Sequence, residues 1–171
     1  MLFIHCSRHF IHSRLATSSA FPITTMTIHA LWIISKAGGL VFSRSYSDAL
    51  PQLPVNTILT LAGILHGIHA ITARLTPSSP NQNQGSGSGS AGGLESFEAE
   101  GWGGKVFLTP TGTKFVLLHS LPQAGLDDLL KRIYEIYADT VMKNPFHTLE
   151  MPINSALFDE KLGVLMGGVN V

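Results

Sequence analysis

Few residues in this chain have the type and spacing that chemistry requires. His66 and His69 stand one helical turn apart, a spacing that suits two ligands of one metal ion. Metal sites need three or four convergent ligands, and no carboxylate or cysteine accompanies the pair locally, so packing is the simpler role. The run Gly87-Ser88-Gly89-Ser90-Ala91-Gly92 has the glycine spacing of a dinucleotide-binding loop. It follows no predicted strand and opens no helix. It lies inside a tract of Pro, Ser, Asn, Gln and Gly from Thr76 to Gly93, so nothing there shapes a cradle for a pyrophosphate. The single cysteine, Cys6, excludes an internal disulfide and any cysteine-based zinc site. No Gly-x-Ser-x-Gly elbow occurs, and no Ser or Cys nucleophile has a positioned base. Asp127-Asp128 and Asp159-Glu160 are adjacent pairs, whereas acid–base work needs carboxylates converging across a cleft. They read as a match to a helix dipole and as a solvated face. The sequence predicts no catalytic residue, no cofactor and no metal.

Composition narrows the remaining classes. The 171 residues suffice for one domain with a real core. Charged residues make up 13% of the chain, about half the usual share, which points to covered faces or uncharged loops. A formal net charge of zero argues against nucleic acid, whose phosphates need clustered Lys and Arg. Low cysteine usage fits a reducing compartment. The stretch from Ala49 to Ala73 carries no charge and is long enough to span a bilayer. Its Pro51, Pro54, Asn56, Gly63, His66, Gly67 and His69 make insertion costly, so a helix covering a sheet is the better reading. The first 25 residues contain Arg8 and Arg14, and no acid precedes Asp48. That composition is similar to a mitochondrial transit peptide, and it alone suggests a small imported hydrolase or ligand-binding enzyme. The simpler expectation is a disordered extension, or a working start at Met26.

The elements follow from periodicity. Thr27 to Ser35 reads as a buried strand, and Lys36-Ala37-Gly38-Gly39 supplies the turn that returns Leu40 to Ser43 beside it. Pro54 to Leu75 has helical period, with Ile58, Leu61, Leu65, Ile68 and Thr72 in one row. Ile64, Ile71 and Leu75 widen that row into a band expected to pack on a sheet. Leu94 to Glu100, Lys105 to Thr109 and Thr113 to His119 are predicted strands, the last two joined by Thr109-Pro110-Thr111-Gly112. Leu126 to Lys143 is a helix, with Leu126, Leu129, Leu130, Ile133, Ile136, Tyr137 and Val141 on one face. Asp127 and Asp128 open it, each four residues before a basic residue, Lys131 and Arg132. Pro145 forbids its continuation. A last helix runs from Ser155 to about Val164, and 166–171 reads as a disordered tail. This order predicts an α+β fold, one five-stranded antiparallel sheet with helices against it, over residues 26–165.

Four groups of residues then carry a family likeness. They are Lys36-Ala37-Gly38-Gly39-Leu40, Leu61-Ala62 with His66, and Thr111-Gly112-Thr113-Lys114-Phe115. The fourth runs from Gln123-Ala124-Gly125-Leu126 through Ile133-Tyr134-Glu135-Ile136-Tyr137 to Asn144-Pro145-Phe146, Leu149-Glu150-Met151-Pro152-Ile153 and Leu157-Phe158-Asp159. Together, over about Thr27 to Leu162, the chain resembles the synbindin family, the subunit 4 type of the transport protein particle (TRAPP). It resembles the short fungal-type form, because only Tyr46 to Pro54 stands where animal members carry an inserted PDZ-like module. The resemblance implies a longin-like (profilin-like) fold and a non-catalytic subunit of a vesicle tether between endoplasmic reticulum and Golgi. It also implies other small TRAPP subunits as partners, peripheral membrane association through the complex, and Rab nucleotide exchange by the assembly. The cytoplasmic face of endoplasmic reticulum and cis-Golgi membranes is the expected place.

The apolar stretch after the second helix is the expected interface. Leu149 to Ile153 is extended in character, and a chain this small has trouble burying it alone; it serves either as an arm over its own core or as a contact for a neighbour. Asn144, Pro145, Phe146, Glu150, Met151 and Pro152 are the expected contact residues. The alternative function is a stand-alone longin-type trafficking module that binds a peptide or membrane surface.

Overall fold

The computed structural model describes residues 27–75, 92–121 and 125–168. The expected extension at 1–25, Met26, residues 76–91 of the expected flexible loop, Gln123 and Ala124, and the last three residues lie outside the described residues. Two strands come first, β1 (Ile28–Ile34) and β2 (Leu40–Ser45), followed by the long helix α1 (Val55–Leu75). Then come β3 (Ser96–Ala99), β4 (Trp102–Leu108), β5 (Lys114–Ser120), α2 (Leu126–Tyr137) and α3 (Ala156–Gly167). The strands form one antiparallel sheet in the order β2-β1-β5-β4-β3. This is the expected α+β, longin-like architecture.

Chemistry along each strand explains its place. β1 is buried at every position and β5 at all but its last, because helices cover both faces at the middle of the sheet. β2, at an edge, buries only Val41 and otherwise runs through half-buried and exposed positions. The β1–β2 turn closes where Gly38 takes a φ of +97°, and the Ser35 amide donates to the Gly39 carbonyl at 2.8 Å. In the β4–β5 turn the amide and the hydroxyl of Thr109 both donate to the Thr113 carbonyl at 2.9 Å.

The core has two unequal halves. On one face, Leu31, Ile33, Phe115 and Leu117 of the sheet meet Leu129, Leu130, Ile133 and Tyr137 of α2 and Phe158, Leu162 and Met166 of α3. Phe115 stacks edge-on against Tyr137 at 5.3 Å, and Phe42 against Phe158 at 5.1 Å. On the other face, Ala30, Trp32, Ile34, Val106, Val116 and Leu118 lie under α1, which contributes Ala62 and the half-buried Ile58, Leu61 and Leu65. A bulge between Ile28 and Ala30 lets Ile28 join the first half while Ala30 joins the second.

Several expectations are corrected. The wide band on α1 does not all reach the sheet: Ile64, Ile68, Ile71 and Leu75 are exposed, since a sheet can cover only one side of the cylinder. The third strand is shorter than expected, and β4 begins at Trp102, not Lys105. Gly104 allows this pairing, because a side chain there would collide with the Phe97 ring opposite it. Asp127 pairs with Lys105 across to the sheet at 3.3 Å, and Asp128 pairs with Lys131 three residues on at 3.7 Å. The expected spacing of four is therefore not used. Ala138–Met142 continues α2 as a π-helical turn, not as α-helix. α3 runs to Gly167 and buries Met166, so ordered structure reaches past the expected boundary at 165.

Candidate functional site

The segment after α2 leaves the helix through a change of winding. In the π turn the Thr140 hydroxyl donates to the Ile136 carbonyl at 2.6 Å, and Thr140 and Val141 face inward while Met142 faces out. Lys143 pairs with Asp139 on the surface, and that hydrogen bond holds the Asp139 carboxyl below its ordinary range. Pro145 cannot continue the helix. The Asn144 carboxamide oxygen instead accepts the Phe146 amide at 3.0 Å, and the Asn144 carbonyl accepts the His147 amide at 3.1 Å. A second turn follows, with the Met151 amide donating to Thr148 at 3.0 Å. The expected extended arm from Leu149 to Ile153 thus begins in a turn and bend through Met151, and Pro152 and Ile153 follow without regular structure.

Both ends of this segment are tied down. At its far end the Ile153 amide donates to the Val41 carbonyl on β2 at 2.8 Å. Ser155 then caps α3 by accepting the Phe158 amide at 3.3 Å, and Asp159 sits in the first turn where the dipole favours it. The Arg44 guanidinium of β2 meets the Asp159 carboxylate at 3.0 Å and lies over the Phe42 ring at 5.8 Å. Beside them, burial pushes the Tyr46 hydroxyl up to about 12. β2 therefore holds the start of α3 in place through charge, ring and backbone contacts.

Between those anchors the apolar side chains point away from the core. Phe146 is 94% exposed and Met151 61%, with Leu149 also exposed. Of the six expected contact residues, Pro145, Phe146, Glu150, Met151 and Pro152 are exposed and Asn144 is half-buried, shaping the first turn. A recess of about 280 Å³ opens among them, lined by Val141, Asn144, His147, Met151, Pro152 and Ile153. Asn144, Phe146, Met151 and Pro152 line this recess, whereas Pro145 and Glu150 are exposed outside its lining. A large ring held clear of the core by a braced backbone has the form of an interface anchor.

The histidine pair does not converge on a common point. The His66 ring lies on Gly38, while the His69 Nδ1 sits 3.4 Å from the Leu94 carbonyl with Gly93 packed on its ring. Among the described residues no group of three or more His, Cys, Asp or Glu could hold a metal ion. Two features escaped the sequence reading. One is the exposed flank of α1; the other is Lys114, buried on the α1 side of β5. Strand alternation signals the second, since Lys114 shares its face with Val116 and Leu118.

Fold and surface together describe a longin-like domain that displays apolar groups to solvent. The Sybindin-like family profile matches residues 28–167, and the chain belongs to that family. It is 37% identical to trafficking protein particle complex subunit 4 of Dictyostelium discoideum over 142 residues, covering 83% of this chain and 98% of that protein. It is 45% identical to the Bos taurus subunit 4 over 112 residues, 66% of this chain and 47% of that one. The chain thus spans about half the length of this mammalian relative. It is also 26% identical to subunit 1 of the same complex from Rattus norvegicus over 140 residues, 80% of this chain and 90% of that one. The likeness read from the sequence is borne out.

Proposed function

We propose that this chain is a non-catalytic structural subunit of a TRAPP-type vesicle-tethering complex, joined to other small subunits through exposed apolar surfaces. The observation that carries the reading is Phe146, almost wholly exposed on a segment anchored at both ends. The kinship to subunits 4 and 1 supports it, since both relatives bear the name of a multi-subunit particle. Transport between endoplasmic reticulum and Golgi, and Rab nucleotide exchange, then belong to the assembled complex and not to this chain. Its place is cytoplasmic, held at those membranes through its partners. Affinity purification of a tagged copy from native extract tests this: small sibling subunits at fixed stoichiometry support it, and a lone monomer contradicts it.

A second reading has one observation in its favour. Ile64, Ile68, Ile71 and Leu75 form an exposed apolar stripe on α1, a helix long and apolar enough to cross a bilayer by length and composition. A stand-alone trafficking module would use that stripe on a peptide or membrane surface. Flotation of the isolated chain with neutral vesicles supports this reading, and its absence favours the first.

A further inference from the structure

We infer that Lys114, with Lys36 and the ring of His66 beside it, forms a receiving site for a carboxylate carried on a neighbouring protein chain. This rests on the reading of the chain as an assembly subunit and names one contact the assembly makes.

Lys114 opens β5 on the α1 side, in register with Ile34 of β1 and Leu108 of β4. It is 6% exposed, and its ammonium donates to the Gly112 carbonyl at 3.2 Å. Lys36, from the neighbouring turn, lays its stem across Gly112, where an added Cβ would stand 3.0 Å from the Lys36 Cγ. The His66 ring closes the group from α1, lying on Gly38, and its Nδ1 is buried without a partner. Burial first, and then the Lys114 charge, lower the His66 pKa, consistent with the two sharing one environment.

Among the described residues no carboxylate balances this charge. Four ion pairs among the described residues engage Arg44, Lys105, Lys131 and Lys143, and none reaches Lys114 or Lys36. Residues 1–26, 76–91, 122–124 and 169–171 contain no Asp or Glu. The side-chain carboxylates of the chain thus all lie among the described residues, and no ion pair joins one of them to Lys114. A buried ammonium with one neutral acceptor keeps a desolvation cost that a carboxylate would offset through charge-assisted hydrogen bonds. The surroundings favour a protein side chain over a free or lipid phosphate. Ala49 to Ala73, which includes most of α1, has no charged residue, so the surface beside the site suits an apolar protein neighbour bearing one acidic group better than a layer of charged headgroups.

The test is titration calorimetry of the chain against the remaining small subunits of the complex at low and high salt. Lys114→Met should leave the melting temperature equal or higher, because it removes an unpaired buried charge. It should weaken association about ten-fold at low salt and flatten the salt dependence. Unchanged affinity and salt dependence would overturn the inference. So would inorganic phosphate that stabilises the wild-type chain while Lys114→Met still binds its partners normally, since the site would then serve a free anion. Should Lys114→Met fail to fold, Lys36→Gln, at an exposed position, takes over: about three-fold weaker binding supports the site, and none contradicts it. A wild-type chain that binds no subunit at all would remove the assembly reading and this contact with it.

Discussion

The two faces of the sheet solve the same packing problem to different degrees. On the α2–α3 side, two helices and an interlocked set of rings, Phe42, Phe115, Tyr137 and Phe158, close the core completely. On the α1 side a single helix of 21 residues buries only Ala62 and His69, leaves an apolar flank uncovered, and shields a lysine that has no counter-charge among the described residues. One face is built for stability. The other retains chemistry that an isolated domain has no use for, as expected of a chain whose surface is completed by neighbours.

The sharpest way to break this contrast is to cut into each face. Phe158→Ala removes a fully buried ring from the closed side and should cost about 3–5 kcal/mol in a urea titration. A loss below about 1 kcal/mol would mean the closed side is not the stabilising one. Ser155→Ala, which deletes the α3 cap, should cost about 1 kcal/mol by the same measurement.

Acid should act on the α1 side. Burial, reinforced by His119, lowers the His29 pKa below its ordinary 6.5, and burial with Lys114 and His69 lowers that of His66. Well above pH 6.5 both rings are neutral in the folded and unfolded chain, and neither contributes. As the pH falls through that value the unfolded chain takes up protons first, so stability drops until the folded values are passed. Melts at about pH 7.5 and about pH 5.5 should show the loss, and His66→Gln should reduce it. The smallest effect belongs to the open flank. Ile71→Ser should change stability by less than about 0.5 kcal/mol, because the side chain is already 61% exposed.

What the sequence revealed tracks how local each feature is. The face of α2, the Thr109–Gly112 turn and the stop at Pro145 were legible because periodicity and turn residues act within a few positions. That Phe146, Leu149 and Met151 lie exposed was legible from apolar composition with a proline break. Other features depend on what lies opposite. The early start of β4 needs Phe97 facing Gly104, the Asp127 pair needs Lys105 on another element, and the bare flank of α1 shows only when the sheet's reach is known. The π turn leaves no mark in the hydrophobic pattern, since Val141 stays buried either way. The charge imbalance at Lys114 required both the strand register and the whole inventory of acids.

The most direct measurement of the central claim is the composition of the purified complex when its exposed anchors carry charge. In Phe146→Asp combined with Met151→Asp, the thermal melt of the isolated chain should match wild type, because neither side chain supports the core. Its partners should then be lost or fall well below wild-type stoichiometry. Full recovery of every partner with that variant would contradict the account.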